Sequence, residues 1–263
     1  MKIAVVQTAS SDDKTANRDK AVELVVRAAA GKPDLVVLPE AMMADFQPDA
    51  DTIAPLAESL DGDFVSALQA VAKEHGTAVV AGMFETSADA DRPYNTLLAI
   101  GPDGQLLAAY RKIHLYDAFG YRESDQLSAG ELAPAVVELG GHRLGLMTCY
   151  DLRFPELSRA LVDAGANVLV VPAAWVRGPL KEQHWETLLA ARAIENTCYV
   201  VAAAQNGRKY SGLSQVVDPQ GVRIAAVGED DGVAFAEIDT SRIEEVRRRN
   251  PSLQNRRFTV APR

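Results

Sequence analysis

Only two cysteines and four histidines occur in the 263 residues. Two thiols cannot build a disulfide framework. The histidines (His75, His114, His142 and His184) are scattered without metal-ligand spacing, so no metal site is expected. No apolar run reaches the roughly 18 residues of a membrane span. The opening MKIAVVQTAS reads straight into a strand, without the apolar core or cleavage site of a signal peptide. Basic residues are outnumbered by acidic ones, 27 to 36, and the formal net charge of −9 argues against nucleic acid as the main partner. One basic cluster, Arg247, Arg248 and Arg249 with Arg256 and Arg257, reads as a solvated helix end or a subunit contact. Neither a G-x-S-x-G nucleophile elbow nor a G-x-x-x-x-G-K-[ST] phosphate loop is present. The expectation is a soluble, cytoplasmic protein that binds neither nucleic acid nor membrane.

Hydrophobic residues make up 48% of the chain, enough to bury a core and to exclude disorder as the dominant state. Short apolar runs at 2–7 and 34–38 have the continuous character of strands buried on both faces. Between them, Ala21, Leu24, Val25, Ala28 and Ala29 fall at helical spacing over 14–30. Further strands are predicted at 77–84, 94–100 and 105–111, the last two joined by a turn at Gly101-Pro102-Asp103-Gly104. Alternation of this kind specifies an α/β sheet with helices on its faces.

The chain also repeats itself in order. IAVVQTAS resembles LGLMTCYD, aligning Thr8 with Thr148, and DLVVLPEAMM resembles NVLVVPAAWV, aligning Pro39 with Pro172. A helix and strand at 64–83 match 185–204, and the hairpin NTLLAIGPDGQLLAA matches LSQVVDPQGVRIAA, aligning Gly104 with Gly221. Two similar halves, each with one helix-covered face and one bare sheet face, predict a four-layer α-β-β-α sandwich. No Gly/Ser/Pro-rich linker divides the halves, so residues 1–263 are expected to form one domain. Residues 240–263 lie beyond the repeat as a helix and tail, a segment able to contact a partner subunit.

Three positions differ between equivalent places in the repeat. Pro39 is followed by Glu40, whereas Pro172 is followed by Ala173. Glu40 thus ends a buried strand, where open α/β sheets place ligand chemistry; a helix cap or salt bridge is the competing role. Cys149 follows an apolar strand and precedes a helix over 154–165, a turn whose N–H groups and helix N-terminus favour a thiolate. A cysteine there also serves as a small buried hydrophobe, the role assigned to Cys198. Lys112 has no basic counterpart in the second half. A carboxylate able to take a thiol proton, with an ammonium able to hold an oxyanion, makes a nucleophilic set. A Cys–His pairing that uses His114 or His142 remains open on these residues alone.

LPEAMM at 38–43, YRKIHLYD at 110–117 and CYDLRFPEL at 149–157 resemble, in order, the three signatures of the nitrilase-like carbon–nitrogen hydrolases. The resemblance runs from Val6 to about Arg257. It implies an α-β-β-α sandwich, no metal or organic cofactor, and a homodimer or higher homo-oligomer. It implies Glu40 as general base, Lys112 as oxyanion-stabilising cation and Cys149 as nucleophile. Glu123 best matches the family's further acidic residue, with Glu131 as its competitor, and the Tyr150 N–H is the second oxyanion donor. The implied reaction is thiolate attack on an amide carbon, a thioester, and its hydrolysis.

HWETLLAARAIENTCYVVAAAQNGR at 184–208, CYDLRFPEL and VVDPQG resemble the branch containing deaminated glutathione amidase and ω-amidase. A carboxylate-bearing amide is therefore the expected substrate, deaminated glutathione first, with 2-oxoglutaramate or another aliphatic amide or carbamoyl amine as the alternative. A non-catalytic redox sensor or scaffold stays open as a different class. Arg153 is the candidate for the substrate carboxylate, against an ion pair with Glu156 or Asp151. Trp175, His184 and Phe46 are candidate pocket walls, and Arg208 and Tyr210 are further candidates.

Overall fold

The computed structural model describes residues 1–46 and 52–262. The first half contains β1 (Lys2–Gln7), α1 (Lys14–Ala29), β2 (Leu35–Val37), α2 (Asp63–His75), β3 (Ala78–Glu85), β4 (Tyr94–Ile100) and β5 (Leu106–Arg111). A small hairpin, β6 (Asp117–Ala118) and β7 (Tyr121–Arg122), leads to β8 (Val136–Leu139). The second half contains β9 (His142–Leu146), α3 (Pro155–Asp163), β10 (Val168–Val170), α4 (Lys181–Asn196), β11 (Tyr199–Ala202), β12 (Gln215–Val217) and β13 (Arg223–Ala226). β14 (Gly232–Glu237) and α5 (Thr240–Arg249) follow.

Two six-stranded sheets carry these strands, in the orders β14-β1-β2-β3-β4-β5 and β8-β9-β10-β11-β12-β13. In each, the second, third and fourth strands are parallel and the outer ones antiparallel. The internal repeat is therefore a repeat of topology. Its one irregularity lies in the first position: β8 precedes the second half in the chain, but β14 reaches its equivalent place from beyond that half.

Period-2 alternation sorts the first sheet's residues between two layers. Ile3, Val5, Leu35, Val37, Ala78 and Val80 join a core shared with the second sheet. Ala4, Val6, Val36, Leu38, Val79 and Ala81 instead pack against Leu24 and Val25 of α1 and Phe64 and Leu68 of α2. Leu157 and Leu161 of α3 and Leu189 of α4 join the core of the second sheet. The layers are helix, sheet, sheet, helix, as the repeat implied.

Local signals explain the helix ends. Asp13 caps α1 by accepting from the Thr15 and Ala16 N–H groups at 2.9 and 3.0 Å. α2 stops at Gly76, whose φ of 60° gives a left-handed C-cap. The C-terminal segment is α5 followed by irregular chain; Arg263 lies outside the described residues. Three of its clustered arginines bind within the chain: Arg247 Nε donates to Thr197 O, Arg249 pairs with Glu245 and Arg256 with Asp163. Among the described residues no helix is long and apolar enough to cross a membrane.

Candidate active site

Four strand ends converge at one rim of the sandwich. Glu40 follows β2, Lys112 follows β5, Glu123 follows β7, and Cys149 begins a 3-10 turn after β9. The turn that carries Glu40 is pressed onto β3. Gly82 N–H donates to Pro39 O at 3.1 Å, and a Cβ on Gly82 would stand 2.6 Å from Ala41 N. Ala41 has a φ of 52° and Cys149 a φ of 46°, left-handed conformations that cost a non-glycine residue free energy. Both are held by bonds across the strand ends; Cys149 N–H donates to Pro172 O at 2.9 Å.

Lys112 is buried with its ammonium between two buried carboxylates. Nζ lies 3.1 Å from Glu40 Oε1 and 2.8 Å from Glu123 Oε2. Asn95, on β4 beside β5, was not singled out from the sequence. Its Nδ2 donates to Glu40 Oε1 at 2.8 Å and to Glu123 Oε1 at 3.1 Å. The ladder sets this side by side, since Lys112 N–H donates to Asn95 O at 2.8 Å. An asparagine in the mostly apolar strand run NTLLAI was the available signal. Glu40 Oε2 accepts from the Ala174 N–H, and Gln205 Nε2 donates to Glu40 O at 2.8 Å. Glu40 is thus oriented through both carboxylate oxygens and its own backbone.

Burial disfavours a charge on Lys112, but Glu123 and Glu40 outweigh it and hold the ammonium well above the usual lysine range. The Cys149 thiol is pushed well up, first by burial and then by Glu40, with Lys112 opposing. This corrects the expected thiolate. The turn at Cys149 is a single short 3-10 segment, α3 starts only at Pro155, and two carboxylates outnumber the one ammonium. Glu40 is the carboxylate beside the thiol, a position from which a base can take its proton.

Asp151 is a second missed residue. It accepts from Tyr110 Oη at 2.6 Å, His114 Nδ1 at 2.7 Å and Thr148 N–H at 2.9 Å. Tyr110 and His114 flank Lys112 and Thr148 precedes Cys149, so Asp151 ties the lysine segment to the cysteine turn. His114 is committed to this bond and stacks on Phe154 at 3.8 Å, which removes it as a thiol partner.

A cavity of about 770 Å³ opens above these groups. Among its lining residues are the candidates Phe46, Tyr150, Arg153, Trp175, Arg208 and Tyr210, along with Tyr116, Phe119 and Lys181, which the sequence did not single out. Tyr150 is second in the 3-10 turn, where N–H groups have no acceptor within the helix. Arg153 makes no ion pair with Glu156 or Asp151; its guanidinium lies 4.8 Å from the Trp175 ring centroid. His184 is not a cavity wall. It stands behind Arg153, with Nδ1 3.4 Å from the Arg153 Nη2. Glu131 is an exposed loop residue. Cys198 is a fully buried core residue.

The family model described as carbon–nitrogen hydrolase matches residues 2–248. A deaminated glutathione amidase of Escherichia coli O157:H7 is 44% identical over 259 residues, covering 98% of each chain. The solved structure of the Caenorhabditis elegans NitFhit protein superposes with a TM-score of 0.90 at 37% identity, over 98% of this chain and 66% of that one. XC1258 from Xanthomonas campestris, a CN-hydrolase superfamily protein with an arsenic adduct in its active site, gives 0.88 at 30% identity, over 100% and 99%.

Proposed function

Because the chain belongs to the carbon–nitrogen hydrolase family, we propose that it is an amidase acting on deaminated glutathione, with Cys149 as its nucleophile. The carrying observation is the Lys112 ammonium held between Glu40 and Glu123 on the floor of the cavity that Cys149 lines. The substrate assignment is supported by the relative of that name at 44% identity over nearly the whole chain.

In this reading Glu40 takes the Cys149 proton as Sγ attacks the amide carbon. The oxyanion receives Lys112 and the Tyr150 N–H, donors set in place before the reaction. Glu40 returns the proton to the leaving nitrogen, the C–N bond breaks, and cysteinylglycine departs from a thioester. Water, deprotonated by Glu40, attacks that thioester, and 2-oxoglutarate leaves with the thiol restored. Glu123 and Asn95 keep the lysine and the base in register. With 2-oxoglutaramate the leaving group is ammonia instead. Two free thiols suit a reducing compartment, which supports a cytoplasmic enzyme. A homodimer belongs to the same reading, and Phe258, exposed on the tail, offers apolar surface for it.

The test measures 2-oxoglutarate released from deaminated glutathione and ammonia released from 2-oxoglutaramate. The expected outcome is release from the first at higher kcat/KM, lost in Cys149→Ala. Preference for the second would replace the substrate assignment. No release from either amide by folded protein would reject this branch, and labelling of Cys149 by oxidants would then favour a redox role.

A further inference from the structure

Lys181 opens α4 with only 6% of its surface exposed, yet it has no counter-ion among the described residues. Its ammonium donates to Tyr116 Oη at 2.9 Å. It lies 4.0 Å from the ring centroid of Phe119 and 5.7 Å from that of Trp175. Neighbouring Glu182 makes no ion pair with it. Burial and Arg153 both push its pKa below the usual lysine range. A cation desolvated in this way is costly unless an anion completes its surroundings.

Arg153, half-buried beside it, likewise has no counter-ion among the described residues. Its guanidinium faces the same two rings, 4.8 Å from Trp175 and 5.7 Å from Phe119, and its buried Nε has no acceptor. The carboxylates on the cavity floor are already engaged: Glu40 and Glu123 by Lys112 and Asn95. Two like charges are thus gathered on one aromatic wall of the cavity with no anion between them.

We propose that Lys181 is the second cation of a carboxylate subsite that it forms with Arg153, and that this subsite selects amides bearing a carboxylate. Arg153 supplies a planar fork and Lys181 a point charge, while Trp175 and Phe119 exclude water from the bound group. The hairpin tip carries Phe119, 70% exposed with a φ of 56°, so the subsite is walled by the segment between Lys112 and Glu123. That the carboxylate is part of an amide substrate rests on the amidase reading; that an anion binds here does not.

The test is a calorimetric titration of glutarate, a small dicarboxylate, into the full-length wild type, Lys181→Met and Lys181→Arg, with melting curves to establish that each is folded. Loss of a charge-assisted bond predicts binding weaker by about ten-fold or more in Lys181→Met, with most of the affinity kept in Lys181→Arg. Equal binding in wild type and Lys181→Met, or no binding to wild type, overturns the subsite. Amide turnover on the same preparations separates the two ideas. Lys181-dependent glutarate binding without turnover removes the substrate assignment alone, and turnover with Lys181-indifferent binding removes the subsite alone.

Discussion

The Ala174 N–H donates to Glu40 Oε2 at 2.6 Å, although the two residues follow strands of opposite sheets. Ala173 is the repeat counterpart of Glu40, so the second half answers the first half's carboxylate with a backbone donor at the matching turn. The orientation of the Glu40 carboxylate is therefore set by how the two sheets pack, and substitutions that shift one strand end against the other are expected to reach it.

Gly82→Ala is such a substitution. Its Cβ would stand 2.6 Å from Ala41 N and 2.7 Å from Glu40 Cα, backbone atoms that cannot swing aside. Overpacking of this kind costs about 1–3 kcal/mol. The expected result is a protein that still folds but whose kcat falls by about ten-fold or more, because Glu40 moves by a fraction of an ångström. Wild-type turnover in Gly82→Ala would show that the close approach has no bearing on the base.

Asn95→Ala removes an uncharged side chain that donates to both carboxylates. Hydrogen bonds to charged groups contribute about 1.5–3 kcal/mol each. We expect kcat to fall by about 10–100-fold with KM changing far less, and a lower melting temperature. Asn95→Asp, which places a third carboxylate beside Glu40 and Glu123, should be worse than Asn95→Ala in both assays. A loss seen only in KM would assign Asn95 to substrate contact instead.

The raised Cys149 thiol gives a pH signature. Its folded pKa lies above the free value of about 8.5, so the fold holds the proton more tightly than the unfolded chain does. At neutral pH the thiolate fraction is below that of free cysteine, and the pH midpoint for iodoacetamide alkylation should lie on the alkaline side of the free thiol. The same sign means that this group's contribution to stability is complete below the free thiol pKa and is lost as pH rises past it. Glu40→Gln, which removes a raising charge, should move the midpoint down while reducing turnover by about 10²–10⁴-fold. An alkylation midpoint below the free thiol value in wild type would contradict the upward shift of Cys149.

Glu40, Lys112 and Cys149 were legible because each sits in a short motif at a strand end and has no chemical counterpart in the repeat. Glu123 followed from its motif. Asn95 was not, since its partners are set by the pairing of β4 with β5 and by a carboxylate far away in the chain. A lysine at a helix start, such as Lys181, ordinarily reads as a solvated charge, and only the surrounding Tyr116, Phe119 and Trp175 show it to be buried. His184, three residues further along the same helix, was placed in the wall because helix phase alone does not tell a cavity from the side chain in front of it. The upward shift of the Cys149 thiol was not legible, because its burial and the nearness of Glu40 both come from the fold. Among the strands, β8 and β14 went unread, being short or only half-buried edge strands.

The position of β14 has a consequence for how the protein is made. β1 pairs with it from Lys2↔Glu237 to Gln7↔Gly232, so during synthesis β1 waits for a strand that emerges only after the whole second half. Until then the first sheet has an open flank with unpaired N–H and C=O groups, a template for another chain. Non-local pairing of this kind slows folding and lengthens the exposure of nascent apolar surface. A ribosome stalled before residue 232 would therefore display the first half complete in its inner strands and unsealed along β1, the edge at which aggregation would begin.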